Sequence, residues 1–100
     1  MATKKTDSYR GYAVGAVLHP GESLREELEE REMTQVALVK AMGRSARLVN
    51  EIVRGRRSIT ADTALALEEA LEISASVWLG QQMQYDLSEA VARRERRAAG

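Results

Sequence analysis

From residue 20 onward, apolar positions recur with a helical period, and small polar residues or glycine stand at the breaks. Leu24 and Leu28 repeat at i, i+4 behind Pro20, a first-turn residue, with Glu22, Glu26 and Glu27 at the positive end of the dipole. This predicts a first helix from about Pro20 to Arg31. Thr34 is an N-cap signal ahead of Val36, Leu38, Val39 and Met42, and Gly43 supplies a left-handed stop. Ser45 caps a third helix with a stripe of Leu48, Val49, Ile52 and Val53, ended by Gly55. Ile59 is a lone apolar anchor in the following loop. Thr60 caps a fourth helix whose apolar positions are Leu65, Leu67 and Leu71, with Ala64 and Ala70 beside them. Ser74 caps a fifth, which runs deep into an Arg-rich tail. Residues 1–19 have no helical period, and Gly11, Gly15, Pro20 and Gly21 keep helix out of the stretch before the first cap. The expected architecture is all-α: an extended N-terminal arm (1–19) with a short strand within 9–18, a five-helix domain (20–92) and a basic C-terminal tail (93–100).

A chain of 100 residues with 44% apolar residues supports one small domain. It has no Cys and a single His, His19, which excludes a disulfide scaffold, a thiolate zinc site and a multi-histidine metal centre. No metal and no cofactor is expected. His19, beside Pro20, reads as a helix-entry residue. There is no apolar run of membrane-spanning length and no apolar stretch behind the basic N-terminus. No membrane association is expected, and the expected location is the cytoplasm. No nucleophile–base pair and no phosphate-cradling glycine loop is present, so no enzyme is expected.

A net charge of zero conceals segregation. Residues 21–33 sum to −4 and residues 61–92 to −6, the latter without a single base. Residues 34–60 sum to +5, through Lys40, Arg44, Arg47, Arg54, Arg56 and Arg57 against Glu51. The basic block coincides with a helix, a glycine turn and a second helix, which is helix-turn-helix spacing. Leu38, Val49 and Ile52 are placed to close its corner. Ser45, Ala46, Arg47 and Asn50 face outward and are residue types suited to base edges in a major groove. Arg54, Arg56 and Arg57 follow where they can reach phosphates, and Gln35 opens the preceding helix beside free backbone N–H groups. An αα-corner that only packs, with Arg for solubility, is the competing reading.

Residues 34–60 resemble the helix-turn-helix of the lambda-repressor-like (XRE/Cro) family. Three motifs are similar to HigA-type antitoxins: His19-Pro20-Gly21-Glu22, Val49-Asn50-Glu51-Ile52, and Trp78-Leu79 with Tyr85-Asp86-Leu87. The resemblance covers residues 19–87. It implies a homodimer that binds palindromic double-stranded operator DNA, represses its own operon and neutralises a HigB-type toxin, a RelE-like ribonuclease. It places the DNA face on Gln35, Ser45, Ala46, Arg47, Asn50, Arg54, Arg56 and Arg57. A stand-alone XRE-type repressor without a toxin is the alternative, and an interaction module that has lost DNA binding is a third. Two positions depart from the family: Val39 stands where a small residue is usual, and Arg44 where the turn is usually apolar. Arg44 either tilts the corner or adds a phosphate contact.

Trp78, Gln82 and Tyr85 form one stripe of the fifth helix, and Leu79, Met83 and Leu87 the adjacent one. Together they make a wider apolar arc than one core contact needs. Trp78, Leu79, Gln82, Met83 and Tyr85 are therefore expected at a subunit contact; Trp78 and Leu79 simply sealing the domain is the competing reading. The acidic faces of the first and fourth helices are the expected surfaces for a basic toxin.

Overall fold

The computed structural model describes residues 17–99. Among these residues the chain forms five helices and no strand: α1 (Pro20–Glu30), α2 (Gln35–Met42), α3 (Ala46–Val53), α4 (Ala61–Leu71) and α5 (Ala75–Ala99). Most of the expected arm (1–19), its strand included, lies outside the described residues.

Helix ends follow local chemistry. The hydroxyls of Thr34, Ser45 and Thr60 accept from the N–H groups of Ala37, Leu48 and Thr63. His19 caps α1, its Nδ1 accepting from the Gly21 N–H at 2.9 Å. Gly43 stops α2 in the left-handed region, at φ 65° and ψ 34°. Two stops carry no glycine. Glu32 (φ 52°) and Glu72 (φ 61°) occupy left-handed positions after α1 and α4. After α1 the Met33 N–H returns to the Leu28 carbonyl at 2.8 Å, and Met33 packs on the core. That burial offsets the roughly 1–2 kcal/mol that a Cβ costs in this conformation. The expected Ser74 cap is also different. Ser74 pairs with the Ser76 hydroxyl, and the Ala75 N–H donates to the Glu68 carboxylate of α4.

The core gathers one stripe from each helix. Leu24, Leu38, Val49, Ile52, Leu67 and Leu71 are fully buried, and Trp78 closes the bundle at 1% exposure. Two positions expected on core stripes are corrected. Leu65 is exposed, because α4 turns Thr63, Ala64, Ala66 and Leu67 inward. Val36 is 67% exposed, on the outer side of α2. α5 runs unbroken through Arg93–Arg97, so the basic tail is the end of a helix about 37 Å long.

α1 begins against the C-terminal end of α3. A Cβ built on Gly21 would lie 1.8 Å from the Ile52 carbonyl oxygen, so only glycine fits there. His19 lies at the same junction. Its ring meets Tyr85 of α5 edge-to-face at 4.9 Å, and it hydrogen-bonds the backbone of Arg57. Burial lowers its pKa below the usual 6.5, against smaller opposing effects of the Arg57 hydrogen bond and of Asp86 and Glu22.

Two outcomes are expected. Gly21→Ala destabilises the fold by about 3 kcal/mol or more in urea unfolding, because backbone rather than a flexible side chain must move. The neutral His19 ring is the form that accepts from Gly21, so the unfolded chain takes up the proton first as pH falls. Stability contributed by His19 is complete above its unfolded pKa and declines as pH falls below about 6.5 toward the lowered folded value. Thermal melts of the wild type and of His19→Asn, which retains a capping oxygen, at pH 7.5 and 5.5 check this. The variant is expected to show the smaller loss.

Candidate nucleic-acid interface

The corner between α2 and α3 is closed by Leu38, Val49 and Ile52, each fully buried, as the spacing predicts. Gly43 makes the turn possible: its N–H and that of Arg44 both return to the Val39 carbonyl, at 2.9 and 3.4 Å. Arg44 is exposed beyond this turn. The larger Val39 is accommodated at the edge of the corner, half-buried against the core and lining an outer cleft.

That cleft has a volume of about 470 Å³ and is lined by Gln35, Val36 and Val39 from α2 and Ala46, Arg47 and Asn50 from α3. The amides of Asn50 and Gln35 meet across it, Nδ2 donating to Oε1 at 3.4 Å. Val36 is one of the two residues the stripe pattern misassigned. A helical stripe one residue wider than its core contact counts it inward, and only packing shows that it faces the cleft. Ser45 is exposed beside it, its hydroxyl engaged as the α3 cap.

Beyond α3 the chain turns back at Gly55, φ 74°. The Gly55 N–H donates to the Ile52 carbonyl and the Arg56 N–H to the Glu51 carbonyl, at 2.9 and 2.8 Å. This double return sets the start of the segment carrying Arg54, Arg56 and Arg57, all exposed. Gln82 of α5 holds the far end of the same loop. Its Oε1 accepts from the buried Ile59 N–H at 2.8 Å, while its Nε2 donates to Ser58 and to Asp86. Gln82, expected at a subunit contact, thus faces the chain's own loop, because Ile59 N–H needs a buried acceptor. Trp78 is likewise core rather than surface, the single Trp of a chain without Phe. Of the remaining three, Met83 is exposed, while Leu79 and Tyr85 are half-buried.

One carboxylate sits inside the basic face. Glu51 accepts from Arg57 Nε at 2.7 Å and from Arg47 Nε at 3.1 Å. These hydrogen bonds, that of Arg57 foremost, hold its carboxyl below the usual 4.5. Glu51 restrains two cations with different surroundings. Arg47 keeps 83% of its side chain exposed over the cleft, whereas Arg57 is half exposed at the loop. Among the described residues no group of three or more His, Cys, Asp or Glu is placed to hold a metal ion. No described helix is long and apolar enough to cross a membrane.

The sequence-predicted interface residues therefore fall into a cleft set (Gln35, Ala46, Arg47, Asn50) and a surrounding exposed set (Arg44, Ser45, Arg54, Arg56, Arg57). The arrangement offers amide and guanidinium donors over a mostly apolar floor, with further exposed cations on the turns before and after α3. That combination matches a base edge flanked by phosphates.

Known proteins share this architecture. A helix-turn-helix family profile matches residues 24–78. Virulence-associated protein I of Dichelobacter nodosus is 49% identical over 71 residues, covering 70% of this chain and 66% of that protein. The chain thus spans just under two thirds of that relative. The Pseudomonas aeruginosa antitoxin HigA, solved with the higBA promoter, superposes with a TM-score of 0.76 at 40% identity, over 82% of this chain and 90% of that one. An addiction module antidote protein of a HigA family from Coxiella burnetii gives a TM-score of 0.76 at 36% identity, over 81% and 89%.

The Glu51 network yields a direct check. Titration of the Glu51 carboxyl by NMR is expected to give a midpoint below 4.5. Arg57→Ala should raise it more than Arg47→Ala, because the Arg57 hydrogen bond is the larger influence.

Proposed function

This chain belongs to the helix-turn-helix family and, within it, to the HigA-type antitoxins, and from that premise we propose that it is an operator-binding autorepressor that neutralises a RelE-like ribonuclease toxin. The observation that carries the DNA half is the cleft in which Gln35, Arg47 and Asn50 stand together, with Arg44, Arg54, Arg56 and Arg57 exposed on the turns that flank α3. α3 enters the major groove. Arg47 reads guanine and Asn50 adenine, while Val36, Val39 and Ala46 form a floor that takes a thymine methyl. Gln35 and the Arg54–Arg57 segment hold phosphates and set the register. The promoter complex of the P. aeruginosa relative supports this reading.

A second copy doubles the base contacts on a palindromic site. The surface best suited to it is the outer face of α5, where exposed Met83 and Leu87 and half-buried Val91 follow one another at i, i+4, i+8. This stripe replaces Trp78 and Gln82 in the subunit contact. Sedimentation equilibrium tests it: Met83→Glu with Leu87→Glu is expected to leave the helix content unchanged and give monomers.

Fluorescence anisotropy on the DNA upstream of the chain's own gene, beside a scrambled duplex, tests the DNA reading. A dimer neutralising about six phosphates gives a log–log salt slope near −5. Arg47→Ala is expected to lose about 1–3 kcal/mol of preference for the operator over the scrambled duplex. Arg56→Ala is expected to weaken both alike. Equal, weak binding of the wild type to the two duplexes would overturn the reading. The toxin half is tested by co-expression with the product of a neighbouring small basic reading frame, where growth rescue by the wild type is the expected outcome.

A further inference from the structure

A second cleft, of about 310 Å³, lies between α1 and the start of α5 and shares no residue with the basic one. Its α1 wall carries Glu26, Glu27 and Glu30, its floor Ile73, Val77 and Trp78, and Gln81 closes it. Glu27 is paired with Arg31 at 3.1 Å. Glu26 and Glu30 are exposed, one helical turn apart, and neither is in an ion pair among the described residues, although Arg25 acts on Glu26 through space. No base lines the cleft, and none occurs in the sequence from 61 to 92.

Two atoms make this more than an acidic surface. The indole N–H of Trp78, a residue 1% exposed, has no acceptor, and the buried Oε1 of Gln81 has no donor. Such atoms are uncommon in a folded interior and costly to leave unpaired. Trp78 can only donate and Gln81 Oε1 can only accept. Both residues line the cleft but the two atoms are closed to it, so docking includes a shift of the Gln81 side chain that opens them; a group that then satisfies both carries a carbonyl and an N–H side by side, as a peptide unit does. Around that pair the walls ask for positive charge, and Ile73 and Val77 offer apolar surface to the stem of a long cation. A guanidinium can bridge Glu26 and Glu30. Nucleic acid is excluded by the sign of the charge.

We infer that the α1–α5 cleft, which Glu26, Glu30, Trp78 and Gln81 line together, is a docking site for an extended, Arg-rich segment of a second polypeptide. This deepens the antitoxin reading by naming the surface that a basic partner takes, and it leaves the DNA face free in the same complex.

The single tryptophan makes the test direct, because the full chain gives one indole N–H resonance. The probe is a blocked peptide alternating Arg with Val, and its control carries Glu in place of Arg. In ¹⁵N-labelled protein the Arg peptide is expected to move the indole proton downfield, saturably, with a Kd on the order of 1 mM or tighter. The Glu peptide should leave it in place. Glu26→Gln with Glu30→Gln is expected to weaken the Arg peptide about five-fold while operator binding is unchanged. An indole resonance unmoved up to about 5 mM peptide, well beyond that Kd, overturns the inference, as does an equal shift with the Glu peptide. It is also overturned if Gln81→Leu moves the indole resonance in the free protein while the Arg peptide has no effect, since Trp78 and Gln81 then satisfy each other. The indole readouts need neither DNA nor toxin, so the cleft and the antitoxin reading fail separately.

Discussion

The approach of Gly21 to the Ile52 carbonyl is the contact on which the other arrangements depend. It brings the first turn of α1 against the last turn of α3 at a distance that no side chain tolerates. Pro20 leads into that turn with its φ already helical, and His19 supplies the cap that a serine or threonine supplies elsewhere. A hydroxyl would satisfy the Gly21 N–H equally well. An imidazole also reaches the backbone of Arg57 and packs on Tyr85, so one side chain links α1, the loop after α3 and α5. Ile52 itself is fully buried, and its carbonyl also takes the Gly55 N–H that reverses the chain. The end of α3 is thereby held on two sides, and with it the start of the Arg54–Arg57 segment.

Charge is divided by element rather than mixed. The basic residues of 34–60 occupy α2, α3 and their loops, while α1, α4 and most of α5 are acidic. At physiological salt, exposed charges are screened over about 8 Å. Two clefts with no common lining residue therefore present local fields of opposite sign, although the whole chain is neutral. Glu51 qualifies this division. It lies within the basic face and lowers that face's net charge, but it gives Arg47 and Arg57 defined directions. Orientation of a guanidinium matters for a base edge in a way that it does not for a phosphate.

Much of this was legible because it is local. Thr34, Ser45 and Thr60 cap wherever an apolar-periodic run follows them, and Gly43 and Gly55 adopt positive φ at no steric cost. The helix-turn-helix corner, its buried trio and the cationic residues around it follow from spacing alone. What was not legible involves choices between equivalent neighbours. Val36 lies two residues from buried Leu38, and Leu65 lies between buried Ala64 and Ala66; a 3.6-residue period does not separate the edge of a stripe from its centre. Glu32 and Glu72 end helices without a glycine signal, since burial of Met33 and the return hydrogen bonds override the local preference.

The sequence by itself determined the helices, the corner between α2 and α3 and the sign of charge each helix presents, because caps, periodicity and composition act within a few residues of the chain. Only the tertiary structure decided what Gln82 and Trp78 do. Both lie on the apolar arc of α5, and nothing local distinguishes a side that meets a second subunit from one that meets the chain's own loop. The distinction comes from residues distant in sequence: the Ile59 N–H, which needs a buried acceptor, and the common core, which buries Trp78 yet leaves its indole N–H unpaired. Hydrogen-bond demand at a buried atom is a property of the packed molecule, and no window of sequence contains both partners.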